Sequence, residues 1–377
     1  MRVWYNTCMI WHIMHDEQQI ATVSAQGRAS ILLPQMMPYA LYLEEGEDLD
    51  TLVNNLSNFY HWCATRLLLP ERVFAKEILN SLGASQSATD RDRAEIALSF
   101  HCLTLTDVWW VKSQEETLTF EEINLYDHAP AAAVTDIALF GRQRSVENHR
   151  DLANDISTNG LCPKAWIRKE DAYYLLKDGE AQSVENELLA SRICSCFDVN
   201  QLHYEEDFFE DIKVSVSKLM TDRTQGIVSR EAFEIYARNQ NLDPLQEILE
   251  LDAHGFYMMN ILDYLTGNTD RHWGNWGLLI RHTDNRPLRL HDLMDFNRSF
   301  RSYDNMEGAN CETCFPRRMT QKEAALEAVK INGLHQIADI DPAWFRERGE
   351  EEKMFMKRLQ LLREADPSHE SGTEVFP

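Results

Sequence analysis

The segment from Leu265 to Arg298, LTGNTDRHWGNWGLLIRHTDNRPLRLHDLMDFNR, limits what this chain can build more than any other. Asp270 is followed five residues later by Asn275, and Asp295 comes after two short apolar runs. Upstream, Phe256, Met259, Ile261, Leu262 and Leu265 recur at helical spacing, which predicts a buried helix over 254–265 ended near Gly267. Asn268 to Gly274 is then a loop, and Trp276–Arg281 and Leu288–Met294 read as strands joined by the turn-rich HTDNRP. A hairpin of this kind returns Asp295 beside the loop, where it and Asn275 can share a metal ion. An acceptor to orient a hydroxyl and oxygen ligands to hold Mg²⁺ are what phosphoryl transfer from ATP requires, because the charge is spread over oxygens and positioning supplies most of the rate. Taken singly, Asn268, Asp270 and Asn275 are ordinary turn residues. Their spacing is what points to chemistry.

Asp270-Arg271-His272-x-x-Asn275 followed by Asp295-Phe296 resembles the catalytic loop and metal motif of phosphoinositide kinases. The wider frame resembles HipA-type bacterial serine/threonine kinases, with their Asp-x-His-x-x-Asn. The chain has Gly274 where HipA-type loops usually carry Lys, and Asn297 where eukaryotic kinases have the Gly after Asp-Phe. The resemblance runs from about residue 103 to 365 and implies an α+β, two-lobed protein kinase-like fold. On that reading 1–102 is an extra N-terminal α/β module, 103–220 a β-rich N-lobe, 221–365 a helical C-lobe and 366–377 a disordered tail.

The N-lobe candidates begin at a hairpin, Ala165–Arg168 and Tyr173–Lys177, whose second strand ends in a lysine. Lys177 is the candidate to grip the α and β phosphates. Such a lysine is aimed by a glutamate on the next helix, which is expected to start near Ser183 as N-cap. Glu187 and Glu185 compete for that role, and both also suit a helix N-terminus. The HipA-type resemblance, carried by Ser-Val-acid-Asn-Glu, favours Glu187. Asn159-Gly160-x-x-x-Lys164 is a turn before a strand, placed where a nucleotide-covering loop offers N–H groups to phosphate oxygens. The similar HipA-type loop, Ser-x-x-Gly-x-x-x-Lys, falls on Ser157, Gly160 and Lys164. It implies Ser157 as a regulatory phosphorylation site made by the protein itself. The adenine hinge is assigned by position to Ser217–Met220, with Ser217 and Leu219 as contacts. His272 is read as a structural loop residue against the nucleotide rather than a base.

Elsewhere the aromatic and β-branched residues of 1 to about 40 argue a small sheet, followed by helices at Asp48–Leu69, Arg72–Leu82 and Ala94–Leu103. Leu103–Val111 is β-rich, Asn200–Tyr204 and Ile212–Lys218 read as strands, and Ser229–Arg238 and Pro244–Leu251 as helices. Ser299–Pro316 is an activation-type loop, before helices at Gln321–Val329, Pro342–Arg348 and Glu350–Glu364.

Charge weighs against some partners. With 37 Lys+Arg against 61 Asp+Glu the 377 residues carry −24, which repels nucleic acid and anionic membranes unless a basic patch is segregated, and no Lys/Arg run suggests one. No stretch reads as a signal peptide or approaches the roughly 20 apolar residues of a membrane span. The eight cysteines are scattered apart from Cys194/Cys196 and Cys311/Cys314, which fits a reducing cytoplasm. Cys311-x-x-Cys314 lacks the second pair a structural zinc site needs and reads as ordinary thiols. The sequence therefore implies an ATP- and Mg²⁺-dependent kinase of a protein serine or threonine, with a regulatory partner protein possible on the HipA-type resemblance. A lipid kinase and a nucleotide-binding scaffold without turnover are the alternatives.

Overall fold

Ile10–His15 (β1) and Gln18–Ser24 (β2) alternate apolar and polar residues about a two-residue turn, and so pair as an antiparallel hairpin with Ile13, Ile20 and Val23 fully buried. Ala29–Ile31 (β3) flanks β2. The other edge is filled by Trp109–Ser113 (β4), giving the order β3-β2-β1-β4. β4, beyond residue 102, is hydrogen-bonded to β1, while its Trp110 also shares a buried cluster with Met14, Phe120 and Tyr173. The computed structural model describes residues 9–81, 89–128, 132–142, 156–158, 160–301 and 303–367. The tail from 368, Asn159 and part of the covering loop lie outside the described residues.

Leu49–Thr65 (α1) is capped by Asp48, which accepts the Thr51 N–H at 3.0 Å. Ala75–Ser81 (α2) is shorter than the helix expected from Arg72, whose guanidinium is instead buried and donates to the carbonyls of Thr158 and Lys164. Asp90–Ser99 (α3) opens on a Thr89/Asp92 capping box. Beyond β4 come the short helices Phe120–Ile123 (α4) and Ala132–Phe140 (α5).

Lys164–Lys169 (β5), Ala172–Lys177 (β6), Tyr204–Phe209 (β7) and Ile212–Lys218 (β8) form a second antiparallel sheet ordered β5-β6-β8-β7. The strand expected at 200–204 lies at Tyr204–Phe209 instead. The preceding residues are tied elsewhere, with Leu202 N–H donating to Leu293 carbonyl at 2.9 Å. The acidic run Glu205, Glu206 and Asp207 is accommodated because β7 is an edge strand. Between β6 and β7, Ala181–Cys194 (α6) starts ahead of Ser183, with Glu180 as N-cap. Ser183 is not free to cap, since its hydroxyl accepts Arg301 Nη2 at 2.5 Å.

The other half is organised on Pro244–Thr266 (α8), entered from Gln225–Ser229 (β9) and Arg230–Asn239 (α7), whose N-cap Ser229 accepts Ala232 N–H. Met258, Met259, Ile261, Leu262 and Leu265 are fully buried in it. The two helices read at 244–251 and 254–265 are one element kinked at Asp252, whose carboxylate accepts Gly255 N–H at 2.8 Å and Leu290 N–H at 2.9 Å. Gly267 ends it in the left-handed region, φ +61°. Gly277–Arg281 (β10) and Arg286–Leu290 (β11) join β9 in a three-stranded sheet, so the return strand ends at Leu290, with the next N–H, of His291, still donating to the Gly277 carbonyl at 3.0 Å. Gln321–Asn332 (α9) and Gly349–Ala365 (α10) pack on α8, while Pro342–Phe345 is only a 3₁₀ turn. Sheets and helices are thus largely segregated, an α+β chain. Among the described residues no helix is long and apolar enough to cross a membrane.

Candidate active site

β6 ends with the Lys177 ammonium pointing between two carboxylates. Its Nζ lies 2.8 Å from Glu187 Oε1 and 3.1 Å from Asp295 Oδ1. Burial opposes the lysine's charge, but Asp295 and Glu187 outweigh it and hold its pKa well above the ordinary value. Glu187 is itself 1% exposed and takes a second bond from Ser215 Oγ at 2.5 Å. Its competitor Glu185 is on the outer face and pairs with Lys213. Tyr204 lies under the lysine, Nζ 5.2 Å from the ring centre, and accepts the Asp295 N–H at 3.2 Å.

The loop after α8 is held from inside by Arg271. Its guanidinium meets Asp263 of α8 at 3.0 Å and donates to the carbonyls of Asn275 at 2.9 Å and Met294 at 2.6 Å. Phe296 lies beneath, its ring centre 5.0 Å from the guanidinium carbon. One buried cation therefore sets the loop that carries Asp270 and Asn275 against the segment that carries Asp295. Asn275 turns its amide N–H to the Asp270 carbonyl at 2.8 Å, which leaves its side-chain oxygen for another partner. Asp295 is left-handed, φ +63°, a strained setting for a residue with a side chain. Burial would raise its pKa, but Lys177 and Lys164 prevail and hold it well below the usual carboxylate range. Asp270 is half-buried; burial raises its pKa, opposed by Arg298, whose Nε lies 3.4 Å from Oδ2.

Lys164, at the start of β5, is buried, and burial together with the neighbouring Lys177 lowers its pKa to about 8. Gly160 lies directly on its ammonium: a Cβ at this φ of +99° would sit 2.2 Å from Lys164 Nζ. Ser157 is buried, 8% exposed, and the adjacent Thr158 hydroxyl accepts Trp166 Nε1–H at 3.0 Å. Ser217 is inside β8, between Leu175 and Tyr204 on the neighbouring strands, and Leu219 donates its N–H to the Tyr173 carbonyl. Past Leu219 the backbone leaves this sheet, so the segment assigned as hinge by position, 217–220, spans the end of β8. His272 is exposed, and its Nδ1 accepts the Gly274 N–H at 3.0 Å, closing the loop's turn.

No family model matches the sequence, and no curated protein matches it. Among solved structures, the Shewanella oneidensis MR-1 toxin–antitoxin complex of HipA, HipB and operator DNA superposes with a TM-score of 0.57 at 11% identity, over 97% of this chain and all of that one. The fold is HipA-like. The Helicobacter pylori proinflammatory kinase CtkA aligns over 55% of this chain and 93% of its own, at 13% identity and a TM-score of 0.40.

Within the HipA-like frame the site's chemistry suits a magnesium nucleotide. Asp295 is kept ionised, Asn275 offers an amide oxygen, and these are the hard donors Mg²⁺ prefers. The buried Asn297 side-chain oxygen, two residues on, has no hydrogen-bond partner among the described residues. Two buried ammonium groups and a glycine pressed on one of them are chemistry that would fit phosphate oxygens. Arg271, Asp263, Tyr204, Ser215 and Arg298 were not singled out from sequence. The legible signal was Asp263, the one charged residue in the run Phe256–Leu265 and eight residues before Arg271, a pattern that buried ion pairs produce.

Proposed function

We propose that this chain transfers the γ-phosphoryl group of ATP, with Mg²⁺, to a serine or threonine hydroxyl of a protein. The reading is carried by Lys177, held at once by Glu187 and Asp295, because that pairing joins the sheet that would hold phosphates to the segment that would hold metal. Asp270 orients the attacking hydroxyl and takes its proton as the oxygen bonds to the γ-phosphorus and the bond to the ADP oxygen breaks. Asn275 and Asp295 hold the metal, which when bound neutralises charge on the phosphate oxygens. Lys177 binds the α and β phosphates, Glu187 aims it, and Lys164 with the Gly160 turn covers them. Lys177 now pairs with Asp295, and that pair would open for Asp295 to serve as a metal ligand.

Regulation follows from the same loop. Ser157 is the proposed site of self-phosphorylation: about −1.5 to −2 charges placed beside a triphosphate would repel it, and since Ser157 is buried, the loop must open for the reaction. Mass spectrometry after incubation with Mg·ATP is expected to find phosphate on Ser157 and weakened ATP affinity in Ser157→Asp; an active preparation without it removes the switch. A regulatory partner protein is proposed by analogy with HipA, which was solved with HipB. Incubation of the purified chain with γ-labelled ATP, Mg²⁺ and a cell lysate should label serine or threonine; nucleotide binding without any labelled protein would leave the scaffold reading.

A further inference from the structure

The strap between Phe296 and α9 brings together two thiols that the proposed chemistry does not use. Cys311 precedes and Cys314 ends the 3₁₀ turn Glu312–Cys314, with their sulfurs 3.7 Å apart. Cys311 is partly exposed, whereas Cys314 is 8% exposed. Among the described residues no group of three metal-ligating side chains includes them, so they do not read as a metal site. The other described cysteines differ: Cys63, Cys102, Cys194 and Cys196 are all buried at 3% exposure or less, and Cys162 is far along the chain in the covering loop. The turn is also pinned, with Cys311 N–H on Met319 carbonyl at 2.8 Å and Arg317 N–H on Cys314 carbonyl at 3.0 Å, so the two sulfurs are kept as neighbours.

We propose that Cys311 and Cys314 form a peroxide-reactive dithiol, with Cys311 oxidised first and Cys314 closing a reversible intramolecular disulfide. The Cys311 thiolate attacks one oxygen of hydrogen peroxide, the O–O bond breaks, and the departing hydroxide takes a proton to leave as water. The resulting sulfenic acid is attacked by Cys314 sulfur, forming S–S and releasing the second water with the Cys314 proton; two thiols are oxidised and one peroxide reduced. Bonded sulfurs sit about 2.05 Å apart, so closure asks for an approach of roughly 1.6 Å, within reach of side-chain rotation. The order of attack follows exposure, and the hydrogen bond with Cys314 lowers the Cys311 thiol in spite of burial.

The pair lies on the candidate catalytic loop. Cys311 Sγ is 3.3 Å from Asn260 Oδ1 of α8, Trp273 Nε1 donates to the Glu312 carbonyl at 3.4 Å, and the Trp273 and Phe315 rings are 5.9 Å apart. Closure draws Cys311 from Asn260 and disturbs the carbonyl that steadies Trp273, two residues before Asn275. Slower phosphoryl transfer in the oxidised form follows, and this part rests on the proposed function above.

The test treats the full chain with graded hydrogen peroxide, blocks remaining thiols with an alkylating agent, and maps peptides without reduction. Expected is the Cys311/Cys314 peptide lighter by two hydrogens, restored by dithiothreitol, with Cys63, Cys102, Cys194 and Cys196 alkylated only after unfolding. In Cys314→Ser, Cys311 should be trapped as a dimedone-reactive sulfenic acid. A wild-type pair that stays reduced, or a Cys311 that passes to sulfinic acid without a disulfide, overturns the proposal. Labelled phosphate transfer is then compared in reduced and oxidised protein. A severalfold fall in the wild type and none in the Cys311→Ser/Cys314→Ser double variant supports the coupling; equal rates overturn it. Absence of transfer even when reduced counts against the phosphotransfer reading and leaves the disulfide result intact.

Discussion

Lys164 gives the site a measurable pH signature. In the free protein its pKa is about 8 against an ordinary 10.5, because burial and Lys177 disfavour its charge. A bound triphosphate supplies the opposite charge and should restore it. If binding returns the ammonium to its ordinary value, affinity falls about tenfold from about pH 7 to about pH 9, roughly 1.4 kcal/mol, with close to one proton taken up per nucleotide at the upper end. The sign is reversed for folding of the empty protein: the folded pKa lies below the unfolded one, so the unfolded chain binds more protons between about 8 and 10.5 and stability rises with pH across that window. Calorimetric titration of nucleotide at about pH 7, 8 and 9, in two buffers of different ionisation heat, measures both affinity and proton uptake. Lys164→Arg stays charged throughout and should lose the pH slope. An identical slope in wild type and Lys164→Arg, or no proton uptake at the upper pH, would refute the role given to this lysine.

Asp295→Asn removes the ionised ligand and one partner of Lys177, so nucleotide affinity should cease to depend on Mg²⁺ and transfer should vanish with the fold intact; surviving Mg²⁺ dependence in binding assays means the metal is held elsewhere. Arg271→Met leaves Asp263 buried and unpaired, and should cost about 3–5 kcal/mol in chemical denaturation, whereas a loss under about 1 kcal/mol would fit a solvent-screened pair instead.

The candidate site was legible where its parts are side chains in a short window. Asp270, Asn275 and Asp295 stand out by spacing, and Lys177 by its place at a strand end; Lys177 and Asp295, 118 residues apart, come within 3.1 Å. The choice between Glu185 and Glu187 was open to residue patterns because both fall near a helix start, and it is set by which face of α6 packs on β7 and β8, where Glu187 meets Ser215 and Lys177. The hinge could be assigned by position alone, since backbone groups bind there and side-chain identity says nothing about which are already paired. The partner of β4 was not legible for a related reason: β1 lies about a hundred residues away, and periodicity reports that a strand is buried without reporting against what. Arg271 was passed over because a buried arginine reads as a surface residue until Asp263, Asn275 and Met294 are seen to share it.

The central claim is that Asp270 acts on the hydroxyl and not on the nucleotide. Single-turnover transfer from γ-labelled ATP with Mg²⁺, measured for wild type and Asp270→Asn beside the nucleotide affinity of each, tests it directly. Loss of a general base should slow transfer by about 10²–10⁴-fold with nucleotide affinity unchanged, whereas transfer near the wild-type rate would contradict the mechanism.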